Sequence, residues 1–229
     1  WPADVPVDDR LCTDGYHSFL PAFFRTLSEL TKRDTTFSLV VRTFGEDLPK
    51  VVRAIDAFAS GAHPLYPCHA PELAIPAERL WRGRYDRQTG AYTLRRASEA
   101  DAGAHGDAYE PREGVATLSG EEEVLSQLQG GGLAGSGLSG SQMRRCASAV
   151  RDDYAWWRSH EYSPSAGKPV WLTLDETGYR HLFFDDNIHN DHADSIVAVR
   201  TRPTAGAPFT PLSGEATCRL HGVVTRRVP

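Results

Sequence analysis

The apolar run His181-Leu182-Phe183-Phe184 ends abruptly in two carboxylates, Asp185 and Asp186, and continues through Asn187, Asn190 and Asp191. Clustered carboxylate and amide oxygens after a buried strand suit a hard, oxygen-seeking cation. Mg²⁺ fits best, because it is held by one or two carboxylates together with phosphate and water. A second strand-like run, TTFSLVVRTFG over 35–45, delivers Thr43 near its end. A hydroxyl there, followed by the N–H groups of a helix N-terminus, suits a phosphoryl group. Both positions lie where open α/β sheets bind ligands, beyond the carboxyl ends of strands. Each also has a plainer use: acids after a strand cap helices or face water, and threonine is an ordinary β-branched strand residue.

Other constellations carry less chemistry. His181, His189 and His192 invite a transition-metal reading, with the last two spaced for one helical face, but no cysteine spacing supports zinc. Asp152-Asp153 beside Trp156-Trp157 frames a pocket or, more simply, builds core or interface. His63, His69 and His160 read as loop residues. Ser136, Ser139 and Ser141 lack a nucleophile elbow. The triple glycine at 130–132 is no phosphate loop, because no Gly-Lys-Ser/Thr follows it.

The elements that must position these residues are legible in patches. Phe19, Leu20, Phe23, Phe24, Leu27 and Leu30 recur at helical spacing behind Ser18 as N-cap and an early Pro21. A short β-branched and aromatic strand over 35–45, ending in Gly45, and a second helix ended by Gly61 follow. Helix, strand, helix is the unit of a doubly wound parallel sheet. Prolines 64, 67, 71 and 76 then break the pattern, and 82–96 reads as a hairpin turning at Gln88-Thr89-Gly90. A short helix with an acidic first turn over 119–128 precedes a Gly/Ser-rich, flexible loop. Helical periodicity resumes through Met143, Ala147, Val150, Tyr154 and Trp157. The last third reads as strands, with KPVWLTL and YRHLFF joined as a hairpin across DETG. The expected organisation is therefore an α/β core in two parts, 1–62 and 143–229, interrupted by a cap-like insertion over 63–142.

At these residues the chain resembles the haloacid dehalogenase-like (HAD-like) superfamily. The unit over 18–62 looks like the family's phosphoryl-binding helix-strand-helix, with Thr43 at the hydroxyl position. LFFDDNIHND looks like its acidic metal motif, which implies Asp185 and Asp186 on Mg²⁺ and Asp191 as a further acid. Lys168-Pro169 looks like its phosphate-neutralising lysine; taken alone, Lys168 reads as a surface residue. The resemblance implies a doubly wound, mainly parallel sheet and attack of an aspartate carboxylate on a phosphorylated small molecule. The family's nucleophile is the first Asp of an Asp-x-Asp ending a strand upstream of the threonine. Residues 1–42 show no such strand, and the chain opens on Trp1. Either an upstream segment supplies the nucleophile or hydrolysis by these residues is negligible, and a non-catalytic binding module of the same fold is the alternative.

Composition sets the outer limits. The chain has 229 residues, 40% of them hydrophobic, with five tryptophans and a net charge of −5, enough apolar surface for a core. No Lys/Arg stripe offers a nucleic-acid footprint. No window approaches the roughly 18 apolar residues of a membrane span, and the N-terminus lacks the regions of a signal peptide. A cytoplasmic location, no membrane partner and reduced cysteines are the expectation.

Overall fold

A computed structural model describes residues 1–98, 115–129, 145–175, 181–185, 196–212 and 216, together with the backbone of 223–227. It is a mixed α/β structure that divides into two compact units. The first comprises Trp1–Gly83, Leu94–Leu118 and Ser126–Arg151; the second comprises Arg84–Thr93, Ser119–Leu125 and Asp152–Pro229.

The first unit opens with a small hairpin, β1 (Cys12–Thr13) and β2 (Tyr16–His17), whose turn residues Asp14 and Gly15 both take positive φ. Helix α1 (Pro21–Lys32) follows. It begins two residues later than a Ser18 cap implies, with Leu20 at the cap: proline sits in its first turn, where its missing N–H costs nothing, and the Ser18 hydroxyl instead meets that of Thr13 at 2.9 Å. Strand β3 (Phe37–Thr43) leads into α2 (Leu48–Ala59). Gly61, at φ +79°, ends α2 as expected, with Ala62 N–H donating back to the Ala57 carbonyl. Phe24 and Leu27 of α1 pack with Val52, Ile55 and Phe58 of α2 in one core cluster, with Phe24 stacked on Phe58 at 5.4 Å.

The sheet beneath these helices has the order β3-β7-β4-β5-β6, where β4 is Leu80–Tyr85, β5 Tyr92–Arg96, β6 Thr117–Ser119 and β7 Arg145–Arg151. β3, β7 and β4 run parallel. The hairpin at 86–90 is as expected, with Asp86 Oδ1 accepting from the Gln88 and Thr89 amides and Gly90 at φ +69°. β7 replaces the helix expected through Ala147 and Val150. Its Cys146, Ala147, Ser148, Ala149 and Val150 are buried on both faces between two parallel neighbours. Such a strand has no polar face and hence no period of two for the sequence to show.

Helix α3 (Glu121–Leu128), whose residues up to Leu125 belong to the second unit, begins with the expected acidic turn: Glu121 meets Trp171 and Arg200, and Glu122 meets Arg202. Helix α4 (Tyr154–Ser159) is a short remnant of the expected long one. β8 (Lys168–Thr173) runs parallel to β10 (Val197–Arg202), which also pairs with β11 (Thr210–Pro211). β9 (His181–Asp185) pairs instead with β12 (Val223–Arg227). The expected β8–β9 hairpin is therefore not formed. β8, buried at Lys168, Pro169, Trp171 and Leu172, takes a parallel neighbour on the far side of a long crossover.

Among the described residues no helix is long and apolar enough to cross a membrane. Cys12, Cys68 and Cys146 are free thiols.

Candidate functional site

Thr43 is the last residue of β3, at the carboxyl end of the parallel strands. Its hydroxyl donates to Asp47 Oδ1 at 2.9 Å and accepts the Gly45 amide at 2.8 Å. This closes the strand-to-helix turn and occupies the Asp47 side chain, which makes no capping bond to α2 although Asp47 is the N-cap residue. Gly45 is required by close approach, since a Cβ there would stand 2.7 Å from Asp47 Oδ1 and 3.3 Å from Thr43 Oγ1.

Two arginines share the edge with Thr43. In register, Thr43 faces Arg151 of β7, and Arg151 faces Arg82 of β4. Paired positions on neighbouring strands point to one face, here the face covered by α1 and α2. Arg82 and Arg151 are only 4% and 6% exposed, and Arg151 lies 3.9 Å from Glu46 in the turn after Thr43. Two buried arginines on one strand row with Thr43 put positive charge at this edge, part of it already met by Glu46. Neither arginine was nominated by sequence. Each ends or interrupts an apolar run, Val150-Arg151 or Trp81-Arg82, and the first lay hidden in a stretch read as helix.

In the second unit Lys168 is a buried residue, not the surface lysine its sequence context suggests. Its side chain is 4% exposed and that of Asp185 12%, and Nζ donates to Asp185 Oδ2 at 2.9 Å. Gly167 makes this placement possible. A Cβ on it would run into the Ile196 carbonyl, to which the Lys168 amide donates at 2.6 Å as β8 joins β10. Lys168 thus starts its strand while Asp185 ends another. The structure brings these two nominated residues together. Thr43 belongs to the other unit and is described there, while Asp186, Asp191, His189 and His192 lie outside the described residues. His181 is the first residue of β9.

For a divalent cation the described donors are few. Asp185 is the one acid of the nominated three that the structure describes, and its Oδ2 already takes the lysine ammonium. Among the described residues no group of three or more His, Cys, Asp or Glu side chains is arranged to hold a metal. One carboxylate with water and phosphate is still compatible with the modest demands of Mg²⁺.

Asp152 and Asp153 build structure. Asp152 Oδ1 accepts the Tyr92 hydroxyl at 2.5 Å. Asp153, with no exposed side-chain surface, caps α4 through the Trp156 amide at 3.1 Å, accepts the Tyr85 amide at 3.1 Å and pairs with Arg87 at 3.1 Å and Arg84 at 3.5 Å. Trp156 is stacked on Tyr85 at 5.3 Å under the Arg87 guanidinium, and Trp157 is buried. Comparison of the chain with protein-family models, with curated proteins and with solved structures gives no match.

Proposed function

We propose that this chain is a HAD-like domain that binds a phosphorylated small molecule, with Asp185 on Mg²⁺ and Lys168 offsetting charge in the second unit; Thr43, in the first, is the hydroxyl that the resemblance assigns to phosphoryl oxygen. The observation that carries the reading is the buried Lys168–Asp185 pair. The family resemblance nominates both residues from separate motifs, and they meet at hydrogen-bond distance. The register of Thr43 with Arg151 and Arg82 supports it further, because it sets two buried arginines, the first of them near Glu46, on the same strand row as the hydroxyl. To bind phosphate, the Thr43 hydroxyl would turn its proton from Asp47 to the ligand. Mg²⁺, when bound, supplies Lewis-acid neutralisation of the phosphoryl group.

A nucleophile is not part of the proposal for these residues. The strands ahead of Thr43, β1 and β2, pair only with each other, and Asp14 sits in their turn. Hydrolysis of a small phosphate monoester by this chain is expected to stay at background. The deciding measurement is thermal unfolding in millimolar MgCl₂. The wild-type midpoint is expected to rise by several degrees, whereas Asp185→Asn, already less stable for loss of its ion pair, is expected not to respond. A wild-type midpoint indifferent to Mg²⁺ would remove the metal from the proposal.

One observation favours the alternative of a non-catalytic binding module. Leu182 and Phe184, on one face of β9, are 58% and 61% exposed, and exposed apolar pairs of this kind mark contact surfaces. Indifference to Mg²⁺ together with loss of partner capture in Leu182→Ser/Phe184→Ser would favour that reading.

A further inference from the structure

β3 has an interior strand's sequence in an edge strand's position. Phe37, Leu39, Val40 and Val41 make β3 mainly apolar, broken only by Ser38 before the closing Arg42 and Thr43, a pattern close to that of strands covered on both faces and both sides. In the sheet, however, β3 is terminal: β7 pairs with one side, and among the described strands none pairs with the other. Exposure follows the position. β7 is buried from Cys146 through Arg151, while every residue of β3 keeps some access to water and Ser38 is exposed apart from its hydroxyl, which is part-buried against the Leu128 carbonyl.

Exposed strand edges template association, and natural edges carry lysine, proline, a bulge or an inward charge to prevent it. β3 has seven residues, no proline and no lysine, its pairing with β7 runs without a break, and Arg42 is its one charge. From these observations we infer that the outer edge of β3 is a homodimer interface, at which two copies of this chain pair antiparallel through Phe37–Thr43.

Self-complementarity of the strand selects the second copy as occupant. The register that overlaps all seven residues pairs Val40 with itself, Leu39 with Val41, Ser38 with Arg42 and Phe37 with Thr43. No like charges oppose each other, and each Arg42 faces a small hydroxyl residue. Just beyond the strand, Asp34 comes opposite Glu46, and within its own protomer each already has a cation, Arg145 at 3.5 Å and Arg151 at 3.9 Å. The two-fold axis is perpendicular to the sheet, so the face carrying α1 and α2 continues across the dimer, an isologous contact. The two five-stranded sheets become one of ten strands.

The test is the solution mass of the full chain by sedimentation over about 1 to 100 µM, the range expected of an interface at the small end of stable ones. A monomer–dimer equilibrium is expected. Two variants at Ser38 test the register, since both lose the same hydroxyl contacts, to the Leu128 carbonyl and the Cys146 thiol, and carry opposite charge. Ser38→Arg sets arginine against Arg42 twice per dimer and is expected to weaken association about tenfold, whereas Ser38→Glu is expected to maintain or tighten it. Val40→Cys is expected to form an intermolecular disulfide on mild oxidation. A monomer at every concentration overturns the inference. A dimer equally tolerant of both Ser38 variants, with no Val40→Cys cross-link, also overturns it.

Discussion

Lys168 and Asp185 illustrate how burial changes what a charged residue means. An exposed pair of this type contributes little, but one this enclosed costs about 3 to 5 kcal/mol if a single partner is removed, because a buried charge is left uncompensated. His63 shows the opposite solution. It is 3% exposed, packed edge-on to Phe24 at 4.5 Å, and its Nδ1 accepts the amides of Leu65 and Tyr66 at 3.2 Å. Burial, only partly offset by Asp8, pushes its pKa down to about 4. The unfolded chain, with its imidazole near 6.5, therefore binds the proton first as pH falls. The His63 contribution to stability is whole above pH 6.5, declines as pH drops towards about 4 and is level below that. Urea unfolding at pH 7, 5 and 4 is expected to show a loss on the order of 3 kcal/mol, absent in His63→Phe; equal slopes in both proteins would remove His63 as the cause.

Among the elements, those with a clear apolar pattern or marked turn residues were legible in the sequence. α1, β3, α2 and the β4–β5 hairpin stand close to where periodicity and turn residues place them. β7 was not, because a strand of Cys, Ala and Ser buried on both faces offers no alternation and matches helical spacing by accident. Its misreading also concealed Arg151, and with it the register of Thr43, Arg151 and Arg82. The Lys168–Asp185 contact was invisible for another reason: it joins strands of different sheets, and no local pattern encodes that. Asp153 ties the hairpin tip to α4, so Asp153→Ala is expected to cost about 3 kcal/mol, for a lost cap and a broken buried ion pair. Asp153→Asn, which keeps acceptors for both amides, is expected to cost less. Chemical denaturation of the two variants measures the difference, and similar small losses below about 1 kcal/mol would show that Asp153 is not the tie.

For the molecule as a whole, charge separates the readings of its arginines. With 25 basic and 30 acidic residues the chain carries −5, and many of the described arginines have carboxylate partners, among them Arg84, Arg87, Arg145, Arg151, Arg200 and Arg202. Such cations do not track a nucleic-acid backbone. The protein is expected to pass through a heparin column at low salt; retention released by added salt would reopen a nucleic-acid role.

The order β3-β7-β4 has a further consequence, for the time course of folding. β3 and β4 follow each other along the chain, yet neither touches the other, because the strand that joins them is made about sixty residues after β4. On a ribosome both emerge with their central edges bare and must wait for β7 to arrive. Contacts this distant in sequence form late, and waiting edges invite wrong partners. The nascent chain is most vulnerable after β4 has been made and before β7 has, and a chaperone that holds that interval open would decide how much of the protein reaches its native state.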